Sequence, residues 1–236
     1  MKRLLTAFVV TLIAGVVSAE SAQAQRHRGG SNAPSLRVQL GEFQPDGDSL
    51  YWSDKARDFT GRARDFEDTA GGLAYLHPLG PKLSLQLSGF FYQGSENQAY
   101  LGFEDQFGGD ILHTTELELN AVTVGLLYKL VGPDATVIPY VGGGGGIYSW
   151  RLSEFGDFID FSGAELEIFN DYFEQKNEDL GWYFSAGLEV PLADFWSLYA
   201  EARWDHAEAE LTGDFRGLGP LDLSGRSYSA GLSWRF

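Results

Sequence analysis

The chain has no cysteine among its 236 residues. That excludes a disulfide framework and thiolate chemistry. Basic side chains are also scarce, 17 Lys and Arg against 33 Asp and Glu, for a formal net charge of −16. A surface so acidic repels a phosphate backbone and argues against a nucleic acid partner. Beyond the N-terminus no run approaches ~18 consecutive apolar residues, so no downstream helix is long enough to span a membrane. Chemistry-bearing motifs are missing too. The histidines are His27, His77, His113 and His206. His206 has Glu208 two residues on, but its surroundings, Trp-Asp-His-Ala-Glu-Ala-Glu, hold no nucleophile motif of the kind a lipase or deacylase needs. No Asp-x-Asp-x-Asp-Gly calcium loop occurs. The glycine run 142–146 is not followed by Lys-Ser/Thr and leads into Ile147-Tyr-Ser-Trp150 rather than a helix, so it is not a phosphate loop. No catalytic residue, cofactor or metal site is expected.

What is present is a set of strands behind an export signal. Lys2 and Arg3 precede an apolar run from Leu4 to Val17, and Ala22-Gln-Ala24 supplies small residues for cleavage after Ala24. Residues 1–24 therefore read as a signal peptide, 25–34 as a flexible leader, and 35–236 as one β-barrel domain. Thirty glycines and a 14% aromatic content suit many strands and turns.

Eight strands are expected: about 36–43, 66–76, 83–93, 116–130, 137–152, 180–190, 196–209 and 224–236. The last is the most telling, with Tyr228, Ala230, Leu232, Trp234 and Phe236 alternating with Ser229, Gly231, Ser233 and Arg235. Three connections, 77–82, 132–136 and 191–195, are short and rich in Pro, Gly or Asp. They alternate with long polar stretches at 44–65, 94–115, 153–179 and 210–223. Short periplasmic turns and long outer loops alternate in this way in outer-membrane barrels.

Alternation alone also fits a soluble lipocalin-type barrel with its apolar face inside. The polar face chooses between them, because Ser84, Gln86, Ser185, Gly187, Ser229 and Ser233 are too small and uncharged for a solvated exterior. They suit the filled interior of a narrow barrel. The charges on that face, Glu189, Glu201, Arg203, Asp205 and Arg235, include both signs, and Arg203 or Arg235 is expected to pair with Glu189 or Glu201. Trp150, Trp182 and Trp204 fall towards the long loops, with Trp196 and Trp234 towards the short turns, as two aromatic belts at the lipid headgroups would. The glycine run is expected to make room for neighbouring aromatics or to allow sharp coiling of the sheet.

The segments Ala74-Tyr-Leu-His-Pro-Leu-Gly-Pro-Lys-Leu-Ser-Leu85, Ile138-Pro-Tyr-Val-Gly-Gly-Gly-Gly-Gly-Ile-Tyr148 and Ser229-Ala-Gly-Leu-Ser-Trp-Arg-Phe236 resemble the small outer-membrane β-barrel proteins, the group that takes in the OmpX- and OmpW-like barrels. The resemblance covers residues 35–236. It implies an all-β, eight-stranded, antiparallel up-and-down transmembrane barrel in the bacterial outer membrane. It also implies outer-membrane lipid, lipopolysaccharide and the barrel-assembly machinery as partners, with Tyr228, Leu232, Trp234 and Phe236 as the C-terminal assembly signal. Members range from structural and adhesion proteins to narrow conduits for apolar molecules. The expectation is a non-enzymatic barrel serving envelope stability or surface interaction, with the conduit as the alternative.

The stretch 153–179 is the outer segment that stands out. It holds nine acids opposed by Lys176 alone, interleaved with Phe155, Phe158, Ile159, Phe161, Leu166, Ile168, Phe169, Tyr172 and Phe173. So many apolar residues do not belong on a merely solvated loop. This segment is expected to fold over the barrel mouth or to contact a surface partner. Divalent cations bridging its carboxylates to lipopolysaccharide phosphates are one route to such contact.

Overall fold

The computed structural model describes residues 33–132, 135–161, 163 and 166–236. The expected signal peptide, nearly all of the leader, and Pro133 and Asp134 of the second short turn lie outside the described residues. No helix among the described residues is long and apolar enough to cross a membrane.

Eight antiparallel strands form the ring: β1 (Ser35–Pro45), β2 (Asp68–Pro78), β3 (Leu83–Glu104), β4 (Asp110–Lys129), β5 (Ile138–Asp160), β6 (Glu167–Pro191), β7 (Trp196–Glu210) and β9 (Gly225–Arg235). Each pairs with the next, and β9 pairs with β1 from Ser35↔Arg235 to Pro45↔Gly225, so the ladder has no open edge within the ring. A three-residue strand, β8 (Pro220–Asp222), pairs only with the outer end of β7. Closure satisfies the backbone groups that lipid cannot. Following the register once round from Ser35 through Leu76, Gln86, Gly125, Gly144, Tyr183, Asp205 and Gly225 returns to β1 at Pro45. That stagger of ten residues (45 minus 35) on eight strands corresponds to a tilt of roughly 40°.

The alternation expected from sequence sets the two faces. Val38, Leu40, Leu85, Leu87, Val122, Val124, Leu126, Leu188, Leu198 and Leu232 are exposed on the outer wall, while Arg37, Gln86, Ser88, Thr123, Ser185 and Ser233 are buried inside. Trp196 stacks on Trp234 at the short-turn end, and Trp182 and Trp204 stand exposed towards the other.

Two of the expected long loops, 94–115 and 153–179, are largely strand. β3, β5 and β6 run 22, 23 and 25 residues, about twice what a tilted strand needs to cross a bilayer. Their outer halves, with that of β4, form a sheet that rises beyond the membrane. The stretch 153–179 is thus a hairpin, β5 to Asp160 and β6 from Glu167, not a loop folded over the mouth. The stretch 44–65 also holds more order than expected: helix α1 (Leu50–Asp58) and a 3-10 turn at Ala63–Phe66.

Candidate functional site

The interior is where function would be sought in a barrel, and side chains pack it in successive layers. Near the short turns Glu189 is the hub. Arg37 meets it at 2.8 Å, Lys129 at 3.4 Å and Arg235 at 3.5 Å. The Arg37 guanidinium lies between the rings of Tyr140 and Tyr199, 4.7 and 4.6 Å from their centroids. Tyr140 donates to Glu201, and Tyr199 donates to Gln39. Higher up, Arg203 pairs with Asp205 at 2.7 Å and lies 3.9 Å from the centre of the Tyr183 ring, while Tyr148 donates to Asp205. A cavity of about 20 Å³ by Lys129, Glu189 and Arg235 has room for about one water.

Missing side chains admit the tyrosines. A Cβ on Gly187 would fall 2.4 Å from the Tyr140 ring, and one on Gly181 would fall 2.6 Å from that of Tyr148. In the glycine run itself the limit is backbone. A Cβ on Gly144 or Gly146 would come 2.2 Å from the Val124 carbonyl oxygen or 2.0 Å from that of Val122. The inward glycines therefore allow close approach of β4 to β5, with the coiling that narrows the barrel.

Above the charged layers the interior turns apolar. Phe43, Phe66, Phe90, Tyr92, Leu117, Leu119, Tyr148, Trp150 and Leu152 form one cluster with Tyr51 and Trp52 of α1 and with Phe215, Leu221 and Leu223 of the last outer connection. The helix is a lid with its apolar face turned in. The Trp52 indole donates to the Asp222 carbonyl oxygen, 3.0 Å away.

The lid carries one buried charge. Lys55, 5% exposed, lies 2.9 Å from Glu154, and its ammonium also donates to His113 Nε2 at 2.9 Å and to Thr115 Oγ1 at 3.1 Å. Tyr51 donates to the same Glu154 oxygen at 2.6 Å. His113 Nε2 must be the unprotonated nitrogen here, since Lys55 can only donate. Nδ1 then carries the hydrogen, and it has no partner among the described residues. The ring is boxed by Phe59, Tyr100 and Phe158. Burial, then the adjacent Lys55 charge, push the His113 pKa down to about 4. Burial lowers that of Lys55, and Glu154 works against the shift.

Glu189, Glu201, Arg203 and Asp205 are buried inside, with Arg235 partly so. Arg235 pairs with Glu189, but Arg203 takes Asp205, two residues along its own strand, rather than a glutamate. Trp182, Trp196 and Trp204 are exposed on the outer wall, and Trp234 lies against Trp196. Trp150 corrects the belt expectation. It points inward, is 3% exposed, and donates to Asp179 at 2.7 Å. Tyr228, Leu232 and Phe236 are exposed outward at the C-terminal strand. Arg37, Lys129, Lys55, His113 and Glu154 were not singled out for these contacts. Arg37 shares the parity of Gln39 along β1, the one available signal; contacts such as Lys55 to His113 span 58 residues.

His206 does have a serine beside it, with Ser224 Oγ 3.1 Å from Nδ1. That hydroxyl is buried, also accepts from the Ala207 amide, and has no carboxylate-oriented base next to it in the described contacts. The pair ties the last outer connection to β7. On the outer wall an open groove of about 710 Å³ runs between Leu40, Leu188 and Tyr228 over Ala186, Ala200, Ala202 and Ala230. Alanine methyls and leucine there suit lipid chains, not chemistry.

Solved structures share this architecture. The crystal structure of Neisserial surface protein A superposes with a TM-score of 0.53 at 10% identity, covering 86% of this chain and 97% of that one. The outer membrane protein OprG from Pseudomonas aeruginosa superposes with a TM-score of 0.52 at 14% identity, covering 89% and 99%. At such identities the likeness is one of fold. No curated protein matches the chain in sequence. The family model for the outer membrane protein beta-barrel domain matches residues 9–236, and with the closed ladder and lipid-facing wall just described, the chain belongs to the outer-membrane β-barrel proteins.

Proposed function

We propose that the protein is a closed, non-enzymatic outer-membrane barrel that works through its outer surface, in envelope stability or surface interaction. The observation that carries this is the filled interior. Between Glu189 and the α1 lid the lumen holds paired charges, tyrosine rings and an apolar cluster. A conduit through the lumen needs a continuous path, and removing this packing would strip partners from several buried charges. The sheet that rises past the membrane supports the surface role, because strands this long exceed what spanning requires.

The partners follow from the same reading. Lipid contacts the outer wall, lipopolysaccharide surrounds the extension, and the assembly machinery meets Tyr228, Leu232, Trp234 and Phe236 on the C-terminal strand. The experiment is single-channel recording in a planar bilayer on refolded protein whose heat-dependent gel shift confirms insertion-competent folding. Silent barrels are expected. Discrete, reproducible conductance steps would overturn the closed-barrel reading.

A further inference from the structure

The outward face of the extension carries a second aromatic zone, separate from the lipid belt. The outer-wall apolar band ends near Ile147 and Leu180, which pair across β5 and β6 next to Trp182. Above them the outward positions turn polar: Asn120, Glu118 and Glu116 on β4, Ser149, Arg151 and Ser153 on β5, and Glu178, Lys176 and Glu174 on β6. Then apolar side chains return. Phe155 pairs with Tyr172, with rings 6.4 Å apart and inclined by 32°, and Leu112 and Ile168 flank them. Tyr172 is 54% exposed and Phe155 37%. Phe155 lies eight residues past Ile147, which at ~3.3 Å per residue and the strand tilt puts it about 20 Å higher. Acyl chains do not reach that height, so these rings are not a membrane anchor.

The polar groups around the rings are held in place. Tyr172 donates to Glu174 at 2.7 Å, Asn170 to Asp157 at 2.9 Å, and Thr114 to Asn97 at 2.6 Å. Arg151 bridges Glu118 and Glu174. Flat ring faces framed by fixed amides and carboxylates form a pre-ordered surface, which loses little freedom on binding. Carboxylates accept and do not donate, so the fitting ligand is rich in hydroxyl donors; a bare phosphate or sulfate is disfavoured.

We propose that this face is a saccharide-binding platform whose occupant is the oligosaccharide of the outer-leaflet glycolipid around the barrel. A sugar ring offers C–H groups to Tyr172 and Phe155 and hydroxyls to Asp157, Glu174, Asn170 and Asn97. Continuity supports this occupant: a glycolipid whose chains pack on the outer wall below places its sugars beside the wall above. The proposal rests on the reading that the extension is the working part of the molecule, and it names the ligand class.

The test uses the refolded full barrel and isolated lipopolysaccharide core oligosaccharide, with saturation-transfer NMR as the readout. Full-core and deep-rough lipopolysaccharide binding are compared in parallel. Transfer from protein to sugar protons is expected, with binding weakened roughly tenfold in Tyr172→Ala and in Phe155→Ala. Tyr172→Phe keeps the ring and should bind like the parent. Each variant must keep its heat-dependent gel shift. The proposal is overturned if the oligosaccharide shows no transfer, if both alanine variants bind like the parent, or if deep-rough and full-core lipopolysaccharide bind equally. Recovery of a protein ligand lost in the same variants, without sugar binding, would also overturn it. Conductance is read separately, so failure here and failure of the closed-barrel reading remain distinguishable.

Discussion

Glu189, near the short turns, sits among three cations, Arg37, Lys129 and Arg235, on three different strands of the closed ring. Lys55, at the outer mouth, has one carboxylate, Glu154, and the neutral acceptors His113 and Thr115, and it hangs from a nine-residue helix in a connection. Both are buried charges in a barrel interior, but their supports differ. The first is fixed from all sides by ladder hydrogen bonds, so it cannot relax away from a missing partner. The second can move with its helix. A barrel wall thus converts a lost partner into global instability, whereas a lid converts it into local opening.

The largest effect should come from Glu189→Gln. It removes the counter-ion shared by three cations, of which Arg37 is fully enclosed, and breaking a buried pair from one side costs about 3–5 kcal/mol. Urea unfolding followed by the gel shift should show the midpoint drop sharply. An unchanged midpoint would mean that water or lipid headgroups already compensate these cations, and the contrast between wall and lid would collapse.

Which parts of this were readable in advance follows from where the solvent changes. Within the membrane, Val122, Val124 and Leu126 are exposed outward and Thr123 is buried inward, so apolar residues mark the outer face. Above it, Leu117 and Leu119 on the same strand are buried inward, opposite to Glu116 and Glu118. The apolar face changes sides because the surroundings change from lipid to water. On β5 the switch falls between Ile147, exposed outward, and Tyr148, buried inward. Trp150 lies beyond it, which is why it points inward while Trp182 and Trp204 stand exposed on the outer wall. The acids of 153–179 suggested a loop for a related reason: charged residues on the water-facing side of an extended sheet resemble loop composition. The charges at Glu189 and Asp205 were legible from strand parity, whereas Lys55 and His113 meet only once the chain between them has folded.

The next effect tests the lid through pH. His113 has a pKa near 4 in the folded protein, below the ordinary value of 6.5. The unfolded or undocked state therefore binds more protons across that window, and stability rises with pH there. The contribution is fully present above about pH 6.5 and is lost as pH falls through about 4, roughly 3 kcal/mol in all. Charging His113 places a second cation against Lys55. The protection of the α1 amides, taken relative to their intrinsic exchange rate at each pH, should fall between pH 6.5 and 4 while the spanning strands stay protected. In His113→Gln, which can still accept from Lys55, that pH dependence should flatten. Parallel exchange profiles for the two proteins would remove His113 from the account.

The smallest effect is the most discriminating between the two clusters. Lys55→Met alone strands Glu154 with only Tyr51 as a donor among the described residues, and Glu154→Gln alone strands Lys55. Either single change should loosen the lid by about 2–3 kcal/mol, the cost of an unpaired buried charge that can partly relax. The double variant removes both charges, keeps both shapes, and leaves Tyr51 an amide oxygen to donate to. Replacing a whole buried pair by isosteres is often neutral, so it should lie within about 1 kcal/mol of the parent in α1 exchange. No such rescue is open to the Glu189 cluster, where one carboxylate answers three cations and any paired replacement leaves two unanswered. If the double variant were as loose as the singles, the Lys55 charge itself would be holding the lid, and the wall and the lid would obey the same rule.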